Sequence, residues 1–254
     1  MALPKIVTPE YTVQLKSVKN PVRYRPYLVK EEKIFLTAKE SNDPKEMERA
    51  ILQVIKNCTF GELDVENLPT FDVEYLFLQL RAKSVNNIVD LRYECRNTLR
   101  NETQRTSSTD DGRCHHVVTL HVDLNNIKIV TDEQHTSTVT LESGLLVEMA
   151  YPAMAVVQSI QGQGDTTSTA DKVSQMLLAA LKTITTADGT VYEVRDYTNA
   201  ERLEFVDELR VEDLRAFEQF FTTMPAVRYD VPFHCDKCAH DETVTLEGLG
   251  SFFT

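Results

Sequence analysis

The stretch RYDVPFHCDKCAHDETVTLEGLGSFF, residues 228–253, decides how this chain is read, because it sets a Cys-x-x-Cys between two alternating β segments. A related passage lies far upstream. Residues 92–122 read RYEC, then an insertion, then CHHVVTLHV, and have the look of a second copy. Both copies open on Arg-Tyr-acid, Arg92-Tyr93-Glu94 and Arg228-Tyr229-Asp230, and both carry a cysteine pair. In both, a histidine stands two residues after the second cysteine, with Val-Thr-Leu following. A hairpin turn holds two sulfurs at Cys-x-x-Cys spacing pointing inward, and zinc takes four such ligands in a tetrahedron. Two half-sites therefore predict one metal site, with Cys95 and Cys114 in the first hairpin and Cys235 and Cys238 in the second.

The 18 residues between Cys95 and Cys114, RNTLRNETQRTSSTDDGR, are polar and turn-forming, and read as a mobile loop. Lengthening a surface loop costs only slowly with length, so the insertion does not prevent its ends from meeting. An all-cysteine set is favoured over mixed sets that use His116, His234 or His240. Four thiolates leave no open coordination position, so the expected zinc is structural. The competing reading is that the first cysteine pair has lost its metal role and the second is a pair of reduced thiols. Cys58, the fifth cysteine, ends a buried helical stripe and is expected to be a core thiol.

Upstream of the first hairpin the pattern is helical. Residues 1–28 hold prolines at 4, 9, 21 and 26 and read as an extended arm, packed either on a neighbouring subunit or back over its own domain. Residues 29–86 form a helical segment. A helix over 29–39 ends at Ser41-Asn42, and a second opens on Asp43-Pro44-Lys45-Glu46, with Met47, Ala50, Ile51, Val54, Ile55 and Cys58 on one stripe. The third, capped by Thr70 or Asp72 and running to Lys83, buries Val73, Leu76, Phe77 and Leu80.

The period turns toward two in residues 87–150, a β unit with strands over 88–95, 115–124, 126–131, 137–142 and 145–149. Residues 151–225 return to helix: 153–161, 169–185 with Val173, Met176, Leu177, Ala180, Leu181 and Ile184 buried, and, after a short strand at 191–194, two helices. Thr198 to Glu201 is a capping box for the first, with Leu203, Val206 and Leu209 inward; Leu214, Phe217 and Phe221 are inward in the second. Residues 226–254 complete the β unit as the Cys-x-x-Cys hairpin. The predicted fold is α+β, with helices on either side of a small antiparallel β unit and a zinc-ribbon-like pair of hairpins.

Composition narrows the function. A net charge of −12 with pI near 5.0 argues against a general nucleic-acid binder. No apolar run is long enough to span a membrane, and the first residues lack a secretory h-region, so a cytoplasmic protein is expected. Walker A, Gly-x-Gly-x-x-Gly, Gly-x-Ser-x-Gly and His-Glu-x-x-His patterns are absent, and an enzyme is not expected. Charge is unevenly spread. Residues 12–30 carry Lys16, Lys19, Arg23, Arg25 and Lys30 with no acid, whereas 193–213 is markedly acidic. Opposed faces of this kind suit solvation or, in an assembly, contact with neighbours.

Three passages carry a family resemblance: YRPYLVKEEK at 24–33, FDVEYLFLQLRAKSV at 71–85, and the closing Cys235-x-x-Cys238 with Leu246-Glu247-Gly248 and Phe252-Phe253. With them the chain resembles the baseplate hub assembly protein family of T-even-type contractile-tailed bacteriophages, over most of its length and most strongly in 20–95 and at the C-terminus. The long insertion departs from a compact first knuckle. The resemblance implies a non-enzymatic structural or assembly role in the tail baseplate hub, in the virion or in the host cytoplasm during assembly. Its partners would be other hub or tail proteins, with self-association possible. The surface read by those partners is expected to carry Arg23, Arg25, Lys30, Arg81 and Lys83, whose charge would oppose acidic surfaces. A zinc-ribbon adaptor acting on a host protein complex is the alternative, and a metal-dependent hydrolase a more distant one.

Overall fold

The structure is a computed structural model that describes residues 7–98, 111–163 and 167–252. Strand β1 (Tyr11–Val13) pairs antiparallel with β2 (Val22–Tyr24) and buries Val13, Val22 and Tyr24 against the chain's own helices. The loop between them is tied down by Asp72, whose carboxylate accepts the backbone N–H groups of Lys16 and Ser17, both at 2.8 Å. Helix α1 (Val29–Ser41) starts where Glu31 reaches back to the N–H of Leu28 at 2.9 Å and stops at Asn42, which adopts the left-handed conformation. Helix α2 (Pro44–Cys58) opens on the Asp43 cap, 2.9 Å from the N–H of Lys45, and buries Ala50, Val54, Ile55 and Cys58 as its stripe predicts.

Helix α3 (Thr70–Ser84) is buried nearly all round, with Phe71, Val73, Leu76, Phe77, Leu78 and Leu80 inside. A helix apolar on every side belongs between two cores. Leu78 faces one and Val73, Leu76, Phe77 and Leu80 the other, while Tyr75 packs against both. The expected cap at Thr70 or Asp72 is not made. Pro69 stands at the cap position with no side-chain bond, and Asp72 turns instead to the N-terminal loop.

Beyond α3 the strands do not gather into one sheet. Strand β3 (Ile88–Glu94) pairs only with β4 (Val117–Asp123), and the short β5 (Lys128–Val130) joins the C-terminal hairpin. Strands β6 (Thr138–Thr140) and β7 (Leu146–Met149) belong to a separate sheet. Helix α4 (Met154–Gln161) lies beside α3, and α5 (Thr169–Ala180) follows it.

The predicted helix over 169–185 is corrected here, because it breaks at Ala180 and the chain continues as strand β8 (Leu181–Thr185). Thr183, Ile184, Thr185 and Thr186 are β-branched, stiff at χ1 and better suited to a pleat than to a helix. Gly189, with φ of +86°, then turns the chain into β9 (Val191–Glu193). The result is an antiparallel sheet in the order β6-β7-β8-β9.

Helices α6 (Asn199–Asp207), opened by the Thr198–Glu201 capping box, and α7 (Val211–Thr223) pack with α5 against this sheet around Val147, Leu177, Val206, Phe217 and Phe220. Three expected core residues are corrected: Val173, Leu203 and Leu214 are exposed, and Phe220 rather than Phe221 is fully buried. The last strands are β10 (Ala226–Cys235) and β11 (His240–Glu247), paired in register from Arg228 with Glu247 to Cys235 with His240. The fold is thus mixed α+β. None of the helices among the described residues is long and apolar enough to cross a membrane. The central part of the insertion, residues 99–110, and Phe253 lie outside the described residues.

Candidate metal centre

The two cysteine pairs sit in turns built alike. In the second, the N–H of Ala239 donates to the carbonyl of Cys235 at 2.8 Å, and Ala239 is left-handed at φ 54°. In the first, the N–H of His115 donates to the carbonyl of Cys95 at 3.0 Å, and His115 is left-handed at φ 51°. In each case the left-handed residue directly follows the second cysteine. The backbone cost of this conformation at a residue with a Cβ is about 1–2 kcal/mol. Both turns carry this cost.

Across the first turn, Thr98 and Arg113 form an isolated antiparallel bridge, and the N–H of Cys114 donates to the carbonyl of Asn97 at 3.0 Å. The chain is therefore pinched shut around the insertion. Cys95 and Cys114 come as close as a short knuckle would bring them.

The register also refines the sequence repeat. The first cysteine of each hairpin is joined to the histidine two places after the second: Cys95 donates its N–H to the carbonyl of His116, and Cys235 pairs with His240. Counting from the cysteines, Tyr93 matches Phe233, and these two rings meet edge-to-face at 5.1 Å. The Arg-Tyr-acid and Val-Thr-Leu matches stand at unequal distances from the cysteines and are not equivalent positions in the hairpins. Their offsets are even, so the period-2 alternation still puts matching side chains on matching faces.

All four sulfurs converge. Cys95, Cys114, Cys235 and Cys238 place their Sγ atoms within 4.8 Å of one another, with Cys95 to Cys238 and Cys114 to Cys235 each 3.7 Å. Disulfide bonding would need about 2.05 Å. A tetrahedron with metal–sulfur bonds of about 2.3 Å has edges of about 3.8 Å, so the spacing fits a cation held by four thiolates. Three of the four cysteines, Cys95, Cys114 and Cys235, are buried. Burial pushes the Cys95 thiol up to about 12 and raises that of Cys114, while Asn97, whose Nδ2 donates to Cys238 Sγ at 3.6 Å, helps bring Cys238 down to about 6. Backbone N–H groups two residues on, at Asn97, His116 and His240, favour the thiolates of Cys95, Cys114 and Cys238 respectively. Lys237 brings a positive charge nearby, its Nζ 3.2 Å from the carbonyl of Cys114. Donors and a cation around four sulfurs offset the negative charge that four thiolates would gather.

Three histidines are engaged otherwise. His115 bonds to Glu94 and, at 2.7 Å, to Asp111; His121 lies 2.6 Å from Asp90; His234 lies 2.7 Å from Asp241. Cys58 is buried and apart from the cluster, 3.8 Å from the Arg25 guanidinium, and its thiol is pushed up to about 11 by burial.

The five basic residues singled out for partner contact are not brought to one patch of equal exposure. Arg25 is buried and bonds to Glu31 at 2.9 Å, an ion pair inside the fold. Arg23 is half exposed, pairs with Glu62 at 2.9 Å and lies over the Phe60 ring. Lys30 is exposed beside Glu31, Lys83 reaches Asn125 at 3.2 Å, and Arg81 is half-buried near Tyr27. Sequence reasoning missed Asn97, Lys237 and the buried acids Glu31 and Asp72. Asn97 and Lys237 do stand inside the two cysteine spacings, a signal that was available; nothing in the pattern marks Glu31 or Asp72 as buried.

No curated protein and no solved structure matches the chain. The family model described as T4 bacteriophage base plate protein matches residues 8–254, taking in both hairpins, the helices before them and the sheet between, and the chain belongs to that family.

Proposed function

We propose that this protein is a non-enzymatic structural or assembly subunit of the baseplate hub, working through protein–protein contacts, with a structural zinc held by Cys95, Cys114, Cys235 and Cys238. The observation that supports this most is the family match over residues 8–254, joined to four sulfurs that converge within 4.8 Å of one another. A cation with four thiolates has no position for water or substrate, so the metal would act as a clasp between distant hairpins, in the manner of a zinc ribbon. Of the basic residues, Arg23, Lys30 and Lys83 would meet partners, with Arg25 and Arg81 shaping the surface beneath them. The place of action would be the tail baseplate, reached from the host cytoplasm during assembly.

Fractionation of infected cells tests this. The chain is expected to travel with tail-tip intermediates, and Arg23→Glu combined with Lys30→Glu and Lys83→Glu is expected to release it. Undiminished co-purification of the triple variant removes the basic face from the reading. Fractionation with host complexes instead favours an adaptor.

A further inference from the structure

The sheet β6-β7-β8-β9 has one face that begins as core and ends uncovered. Val139, Val147, Ile184 and Tyr192 stand opposite one another across the four strands. Along that row exposure rises from 5% at Val139 and 0% at Val147, through a half-buried Ile184, to 40% at Tyr192. A groove of about 380 Å³ remains between Ile184 and Tyr192 on the sheet side and Arg202 and Phe205 on α6, with Tyr197 at its mouth. Tyr192 and Tyr197 lie 6.4 Å apart and form an aromatic rim. Strand β9, which borders the groove, has a strand partner on one side only among the described residues, which leaves its outer edge without one there.

We propose that this groove docks an extended, cationic segment of another protein, which adds to the edge of β9 and packs an aliphatic or aromatic side chain beside Tyr192. Aliphatic and aromatic walls beside a free sheet edge suit strand addition, where the backbone supplies affinity and alternate side chains fill pockets. The charge of the occupant follows from the surroundings. Residues 193–213 carry eight acids against Arg195, Arg202 and Arg210, and among them Glu193 lies on β9 and Glu201 lines the groove. Such a field attracts Lys and Arg flanking the anchor and repels acidic chains and nucleic acid.

A second copy of this chain is the poorer occupant, because the extended part of its basic stretch, β2, is already paired with β1, and Arg25 beyond it is buried on Glu31. The inference rests on the reading that the chain works through protein contacts. Loss of groove binding with intact co-fractionation of the basic-face residues would fail the groove alone.

Fluorescence anisotropy on the full chain tests it, with the labelled peptide Lys-Val-Lys-Leu-Lys-Val-Lys as probe and Glu-Val-Glu-Leu-Glu-Val-Glu as its twin. The cationic peptide is expected to bind, and the acidic twin to bind about tenfold more weakly or worse. Tyr192→Ala with Tyr197→Ala is expected to lower affinity by about tenfold, equivalent to 1.4 kcal/mol, and Glu193→Lys to lower it separately. Absence of binding by the cationic peptide, equal binding of the twins, or unchanged affinity in both variants overturns the proposal. So does a dimer in sedimentation velocity that the tyrosine double variant dissolves, since the groove would then seat a second copy.

Discussion

The two β regions of this molecule solve the same problem differently. Strands β6 to β9 form a four-stranded sheet with α5, α6 and α7 laid on it, and its interior is filled by Val147, Leu177, Phe217 and Phe220 without any cysteine. The hairpins β3-β4 and β10-β11 face each other around Leu91, Val122, Val231 and Phe233, and at their tips the side chains that meet are sulfurs. An isolated hairpin is marginal in water, and two of them brought together from residues far apart in sequence must also overcome the entropy of closing the chain between them. Helices can supply that closure by area, as α5 to α7 do. At the hairpin tips, four sulfurs on one cation would supply it at a point.

Several measurements would break or sharpen this contrast, and the largest effect belongs to the sulfurs. Metal analysis is expected to find one zinc per chain, with a four-sulfur shell at about 2.3 Å by X-ray absorption. Cys95→Ser and Cys238→Ser should each abolish it. Because apparent binding energies at structural zinc sites run to about 10–16 kcal/mol in small fingers, chelation should release the C-terminal hairpin and expose its amides to exchange, while the amides of β7 and β8 stay protected. Equal loss of protection in both regions would show that they are one cooperative unit and not two. Next in size is Phe217→Ala, which should cost about 3–5 kcal/mol in denaturant unfolding and leave the zinc content unchanged.

Arg25→Ala should follow closely, at about 3–5 kcal/mol, since it leaves Glu31 buried without its partner; an effect near zero would mean that Arg25 is available to solvent and partners after all. The smallest effect concerns Glu74 on α3, half-buried beside Glu247 and accepting the N–H of Leu249 at 3.3 Å. Burial raises its carboxyl from 4.5 to about 7. A folded-state value above the unfolded one means the folded protein holds the proton more tightly. Its contribution is therefore present at low pH and lost as pH rises through about 7. Glu74→Gln should raise stability at pH 8 and flatten the change between pH 5 and 8, measured by urea unfolding.

Much of this was readable in the chain. The stripe from Ala50 to Cys58, the Asp43 and Thr198 caps and the four convergent cysteines are consequences of local spacing, and each appears where the spacing places it. Period reasoning failed where apolar residues at helical intervals ran on into β-branched ones. Leu181 and Ile184 continue the stripe of α5, but threonines beside them favour a pleat and a sheet partner was waiting in β7. It failed again at Leu203 and Leu214, because a pattern shows that a face is apolar and not that anything covers it. Arg25, Glu31 and Asp72 were opaque for another reason: burial of a charge depends on a partner that only the fold delivers, such as the loop N–H groups that meet Asp72.

The pinch between Thr98 and Arg113 has a practical reach of its own. Since the backbone is already closed there, the number of residues beyond the bridge is uncoupled from the placement of Cys95 and Cys114. The bridge behaves as a socket, into which an affinity tag or a small folded domain could be spliced while the four sulfurs keep their spacing, giving this baseplate protein a handle.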